Sequence, residues 1–171
     1  MLEYRWYDSA WLACVSLGGD IFLEKAVWRV SALANKVDES MKNESNERRS
    51  VFTTGIAHTR WATHGSVTEA NTHPHISQDE RFYVVHNGII ENYKELKKSL
   101  EWKYHFYSET DTEVIAKLIE EYFDGNLKST MEKVSKKLIG AYSLAVIDSK
   151  NPEYIVAIKL WSPLIVGQST W

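Results

Sequence analysis

The runs AYSLAVID (141–148) and YIVAIK (154–159) are apolar at nearly every position, and the turn SKNPE joins them. Strands of that composition are expected to be buried on both faces. Such a pair forces a layered architecture, because something must lie above it and something below. The segments before it supply the layers. ENYKELKKSL reads as a short helix with Leu96 and Leu100 on one face. FYSETDTEVIAKLIEEYF carries a capping box, Thr110 to Glu113, and then Val114, Ile115, Leu118, Ile119 and Tyr122 at helical spacing. Leu127, Met131, Val134 and Leu138 mark a further amphipathic helix.

The first half of the chain holds more strands. WLACVSL (11–17) and DIFLEKA (20–26) flank the turn signal Gly18-Gly19 and predict a hairpin. In RVSALANKVDESM, residues Val30, Leu33, Ala34, Val37 and Met41 fit a helix, and DESMKNESNERRS reads as a solvated loop after it. VFTTGIAHTR predicts a strand running into the long loop WATHGSVTEANTHPH. RFYVVHNG predicts another strand, ending in the turn pair Asn87-Gly88. Strands and helices come in groups rather than in alternation. That predicts an α+β fold of stacked sheets and helices, not a doubly wound nucleotide fold. No glycine-rich phosphate loop follows a strand.

The chain has 171 residues, enough for one domain with a real core. Its net charge of −3 gives no electrostatic case for nucleic acid or an anionic membrane. No apolar run approaches the ~18 residues of a membrane span. The N-terminus lacks a signal-peptide pattern, and Cys14 is the single cysteine. A cytoplasmic protein without disulfides is expected.

The chemistry concentrates in a few short motifs. His64, His73 and His75 invite a metal reading, but no H-E-x-x-H motif or nearby cysteine supports one. A rigid His-Pro-His corner, its imidazoles bonded to backbone, explains them better. Asn87-Gly88 is a turn or an oxyanion hole, in which a side-chain amide and a backbone N–H point at one developing negative oxygen. Arg60 is a surface charge or a bidentate clamp for a carboxylate. Asp111 is a first-turn acid that suits the helix dipole, or the receptor of a substrate ammonium. Arginine with aspartate is the minimum kit for the two charged groups of a free amino acid.

Taken together, LEYRWYDSAW, TGIAHTRWATHG, NTHPH, VVHNGIIENY and SETDTEVI resemble the glutaminase domain of the glutamine–fructose-6-phosphate aminotransferases, within the class II glutamine amidotransferase family. The resemblance runs in order from Leu2 to about Gly167. It implies an N-terminal-nucleophile hydrolase fold, a four-layer αββα sandwich, here truncated at both ends. It also implies hydrolysis of glutamine without a cofactor or metal. The ammonia would pass to a separate isomerase domain that converts fructose 6-phosphate to glucosamine 6-phosphate, in a full-length homodimer. Carried over, Arg60 holds the glutamine carboxylate and Asp111 its ammonium. Trp61, Thr63 and His64 form a loop closing over the substrate, and His73 sits in the same pocket. Asn87 and Gly88 form the oxyanion hole.

Two departures accompany the resemblance. The family nucleophile is an N-terminal cysteine, expected about two dozen residues before Met1, and Cys14 lies mid-strand with its nitrogen in a peptide bond. A binding pocket without thiol-driven hydrolysis is therefore expected, which leaves a non-catalytic glutamine-binding protein, or the glutaminase domain of another class II amidotransferase, as the alternatives. Secondly, Trp6, Trp11, Trp28 and Trp161 stand where the family pattern has glycine, with Trp102 and Trp171 similar where the alignment is looser. Each exchange is expected to cost ~1–3 kcal/mol through overpacking. One codon accounts for the repeated pair: UGA is read as Trp under one variant code and as Gly under another. UGG at codons 6, 11, 28 and 161 would end that explanation.

Overall fold

The computed structural model describes residues 9–27, 30–43, 51–60 and 71–168. The predicted hairpin is present. Strands β1 (Ser9–Ser16) and β2 (Ile21–Val27) pair antiparallel around Gly19, which turns at φ +86°. Helix α1 (Val30–Asn43) follows, so DESMKN belongs to the helix rather than to the expected loop. Strand β3 (Phe52–Arg60) returns to pair with β1, completing a three-stranded sheet ordered β2-β1-β3.

The second sheet is ordered β4-β5-β6-β7, with β4 (His75–Ile76), β5 (Phe82–Ile90), β6 (Gly140–Asp148) and β7 (Ile155–Leu160), every pair antiparallel. Between β5 and β6 run α2 (Tyr93–Leu100), α3 (Asp111–Tyr122) and α4 (Leu127–Ser135). Alternation along the strands builds two cores. Phe82, Val84, Tyr142, Leu144 and Val146 face the helices and pack on Val114, Ile115, Leu118, Ile119, Leu127 and Met131. Tyr83 and Ile147 face the other way and pack on Trp11, Ala13, Val15 and Ile56 of the first sheet. With α1 on β1 and β2, the layers are helix, sheet, sheet, helix. This is the α+β layering that the sequence predicts.

Three local expectations are corrected. First, β5 does not end at Asn87-Gly88 but runs through them, Asn87 opposite Ser143 and Gly88 opposite Tyr142. Secondly, β7 is an edge strand, and Ile155 and Leu160 are partly exposed. Burial on both faces therefore describes β6 and not β7; an apolar run cannot say which strand has a neighbour on only one side. Thirdly, the capping box is not made. Thr110 is the N-cap of α3 but its hydroxyl makes no cap bond. Glu113 reaches past it to accept from the Tyr107 and Ser108 N–H groups at 3.0 and 2.7 Å.

The β5–β6 pair is closed at one end by Arg81, whose Nε and Nη2 each donate to Asp148 at 2.7 Å. Burial pushes the Asp148 carboxyl up, but the Arg81, Asn151 and Lys150 hydrogen bonds outweigh it and hold the group below its ordinary value. A lowered folded pKa contributes stability above the unfolded value, and that stability is lost as pH falls through the folded one. The stability of the chain is thus expected to drop in acid below pH ~4, and Asp148→Asn is expected to remove part of that drop while costing about 3 kcal/mol at neutral pH. Urea titrations across pH measure both.

Three of the tryptophans lie among the described residues, and Trp102 is exposed just after α2. Trp11 is fully buried between the sheets, with its indole Nε1 lacking a hydrogen-bond partner. Trp161 is 87% exposed and has φ +64°, in the left-handed region that favours glycine. Trp6, Trp28 and Trp171 lie outside the described residues. Because Trp161 has so little packing to lose, Trp161→Gly is expected to raise stability by roughly 0.5–1 kcal/mol, read as a higher urea midpoint. A lower midpoint would contradict the backbone argument.

Candidate active site

Three of the sequence motifs converge on the helix-facing end of the second sheet. The α3 N-terminus abuts the end of β5. Asp111, the first residue of α3, is buried, and its Oδ2 accepts from the Ile90 N–H at 2.8 Å. This bond ties the predicted ammonium receptor to the strand that carries Asn87 and Gly88. Asn87 and Gly88 are themselves exposed.

Gly88 could be nothing else. Its φ is +136°, and a Cβ there would stand 2.1 Å from the Ala141 carbonyl oxygen and 2.7 Å from the Tyr142 Cα. The strand crosses its neighbour too closely for any side chain. Glycine at this point thus serves the sheet, whatever else its N–H does.

The histidine corner is fastened to the same helix end. His73-Pro74 is a cis peptide, and His73 and His75 are both buried. Lys25 reaches across from β2 to donate to the Thr72 and Pro74 carbonyls at 3.1 and 3.3 Å. His75 Nε2 meets Thr110 Oγ1 at 2.8 Å, and Thr110 Oγ1 meets Ser108 Oγ at 3.0 Å. That is why Thr110 is not available to cap α3. Asn71 adds a two-way clasp: its Nδ2 donates to Glu109 Oε2 at 3.1 Å, and its Oδ1 accepts from the Glu109 N–H at 2.9 Å. His73 packs against His58 of β3, ring centroids 4.5 Å apart, and against His75 at 5.1 Å. Trp11 stacks near both His58 and His73. The sequence reading expected the imidazoles of this corner to bond to backbone; His75 instead spends its Nε2 on the Thr110 side chain.

Arg60 is the last residue of β3, opposite Ser9 of β1. Trp61, Thr63 and His64 lie outside the described residues. Cys14 sits half-buried in mid-β1, and burial pushes its thiol up from the ordinary value, away from a nucleophilic thiolate. Among the described residues, no group of three or more His, Cys, Asp or Glu is placed to hold a metal ion.

Sequence reasoning missed His86, the residue before Asn87. Its Nδ1 lies 2.9 Å from Thr112 Oγ1 and 3.8 Å from Asp111 Oδ1. Burial lowers its pKa more than Asp111 raises it, so the ring is held neutral at physiological pH. Period-two alternation with Phe82 and Val84 was the available signal, since it puts position 86 on the helix-facing side of β5. Asn71, Glu109 and Ser108 were missed as well, because their pairing crosses long sequence separations.

The chain is similar to known proteins over most of its length. A family model described as a glutamine amidotransferase domain matches residues 58–166. The chain is 49% identical over 167 residues to a glutamine–fructose-6-phosphate aminotransferase (isomerizing) from Thermotoga maritima, and 47% identical to one from Caldanaerobacter subterraneus. In each case 97% of this chain is covered, and the chain spans 26% of the relative's length. Among solved structures, a glutamine phosphoribosylpyrophosphate amidotransferase from B. subtilis superposes with TM-score 0.65 at 24% identity, covering 86% of this chain and 30% of that one. A second, titled as the allosteric regulatory enzyme of purine biosynthesis, gives TM-score 0.69 at 25% identity over 86% of this chain and 31% of its own. The four-layer sandwich is therefore the N-terminal-nucleophile hydrolase type of fold. Gly88→Ala is expected to cost about 3 kcal/mol or more, from the clash with Ala141 and the left-handed backbone together; an unchanged denaturation midpoint would contradict the close approach. With the matched segment covering most of the chain, the chain belongs to the glutamine amidotransferase domain family.

Proposed function

We propose that this chain forms the glutamine-binding and oxyanion-stabilising part of a glutaminase whose ammonia serves the conversion of fructose 6-phosphate to glucosamine 6-phosphate. The observation that carries the reading is the Asp111–Ile90 bond, which holds a buried carboxylate at a fixed spacing from the Asn87–Gly88 pair. Free glutamine offers an ammonium, a carboxylate and a side-chain amide. Asp111 suits the ammonium and Arg60 the carboxylate. Asn87 Nδ2 and the Gly88 N–H suit the amide oxygen as it gains charge. Trp61, Thr63 and His64 would close over the ligand, with His73 at the pocket wall.

In the reaction, a cysteine thiolate attacks the side-chain carbonyl carbon. The carbonyl oxygen becomes an oxyanion, and Asn87 and Gly88 donate to it. The C–N bond breaks, a proton reaches the nitrogen, and ammonia leaves a thioester. Water hydrolyses the thioester to glutamate and restores the thiol. None of the residues described supplies that thiolate, since Cys14 is protonated and mid-strand. In that reaction the described residues bind the glutamine and stabilise its oxyanion, and Cys14 is not the attacking thiolate. The sugar-phosphate acceptor, a second subunit copy and a cytoplasmic setting belong to the same proposal. No described helix is long and apolar enough to cross a membrane.

Isothermal titration of the chain with L-glutamine tests the reading. Binding is expected, and Asp111→Ala is expected to weaken it roughly 30-fold or more. Equal affinity in the variant would remove Asp111 from the site. Steady ammonia release that Cys14→Ala abolishes would overturn the exclusion of Cys14 as the nucleophile.

A further inference from the structure

His86 has no part in the chemistry above, yet it is placed where two functional elements meet. Its side chain is 2% exposed. On one side it belongs to β5, directly before Asn87 and Gly88. On the other it faces the first turn of α3, Nδ1 to Thr112 Oγ1 at 2.9 Å. Thr112 Oγ1 in turn lies 3.4 Å from Asp111 Oδ1. The second carboxylate oxygen, Oδ2, is already taken by the Ile90 N–H. Both oxygens of Asp111 are thus set from β5, one by the strand backbone and one by way of His86 and Thr112.

The proton order follows from the chemistry of the end groups. An ionised carboxylate only accepts, so the Thr112 hydroxyl donates to Asp111 Oδ1. Its oxygen is then left to accept, and His86 must be the donor through Nδ1–H. The Nε2 atom is buried and has no hydrogen-bond partner among the described residues, so none of them competes to fix the opposite tautomer.

We propose that His86 is a positioning residue of the amino-acid site: through Thr112 it orients the Asp111 carboxylate and keeps it at a fixed spacing from Asn87 and Gly88. The proposal rests on the amidotransferase reading for the identity of the ligand, but the hydrogen-bond chain stands on geometry alone. It has a consequence for pH. A protonated His86 would place a cation 3.8 Å from Asp111 Oδ1, where it competes with the ligand's ammonium for the same acid. Asp111 is the charged group nearest the ring; the flanking elements also carry Glu113, Lys117, Glu120, Glu121 and Tyr122 on α3, His75 on β4 (engaged with Thr110), Tyr142 and Asp148 on β6 and His58 on β3, while directly opposite His86 on β6 is the apolar Leu144. Glutamine affinity should accordingly fall as the ring gains its proton on the acid side of neutrality.

The test compares the chain with two variants, using L-glutamine titrations from about pH 7.5 to about pH 5. His86→Asn keeps an N–H donor near the Nδ1 position but cannot be protonated. His86→Gln moves the donor outward, away from Thr112. His86→Gln is expected to weaken binding about tenfold at neutral pH. His86→Asn is expected to recover most of that loss and to flatten the acid-side fall seen in the parent chain. The same affinity and pH profile in all three proteins would overturn the proposal, as would an acid-side fall that persists undiminished in His86→Asn. Nitrogen NMR of the His86 ring keeps the two claims apart. If the parent chain bound no glutamine, the functional reading would fall by itself, whereas the hydrogen-bond chain would stand on an Nδ1-protonated ring and fall on an Nε2-protonated one.

Discussion

The attachment of α3 to β5 is the constraint on which the site depends. A helix N-terminus presents unsatisfied N–H groups and a partial positive charge, and it needs acceptors. Here the acceptors face outward in two directions. Asp111 turns toward the sheet and takes the Ile90 N–H, while Glu113 turns toward the preceding loop and takes the Tyr107 and Ser108 N–H groups. The first bond fixes the helix to the strand, and the second folds the SETD segment against the helix. The histidine corner then docks on what that segment exposes, through Thr110 and Glu109. Removing the first link would loosen all the others, since each later contact uses a group that the earlier one has placed.

That order explains the use of polar residues in a region with so little exposure. His73, His75, His86, Ser108, Thr110, Asp111, Thr112 and Glu113 are all buried. Buried polar groups are tolerated when they are paired, and networks of them fix one geometry more sharply than apolar packing does. The layers beneath are ordinary by comparison. Val84, Leu144 and Val146 pack on α3 and α4, and their exchange for similar apolar residues would change stability more than geometry. The site is held by the polar network, and the network is held up by the core.

Much of this was legible in the sequence where a signal is local. Apolar runs located β1 and β6, and helical spacing located α2, α3 and α4, because such patterns record which faces are buried. Gly18-Gly19 marked the first hairpin. The signals that misled were also local. Asn87-Gly88 is a turn dipeptide by composition, yet the glycine serves a close crossing of β5 with β6, and that crossing joins residues more than fifty positions apart. The Thr110–Glu113 pair has capping-box spacing, but His75 claims the threonine hydroxyl from across the fold. His86 carried no motif of its own. Its importance comes from which helix end lies against it, and spacing within one strand does not reveal that. The tryptophans divide in the same way: φ +64° at Trp161 agrees with the glycine expected there, whereas Trp11 has been accommodated in the inter-sheet core at the cost of an unpaired indole N–H.

The central claim is that one end of the second sheet is built to receive the charged groups and side-chain amide of glutamine. A crystal structure of the chain soaked or grown with L-glutamine tests it most directly. The account predicts the ligand's ammonium within hydrogen-bond distance of the Asp111 carboxylate, roughly 3 Å, with its amide oxygen turned toward Asn87 and Gly88. Glutamine bound elsewhere, with Asp111 still engaged only by Ile90 and Thr112, would contradict it.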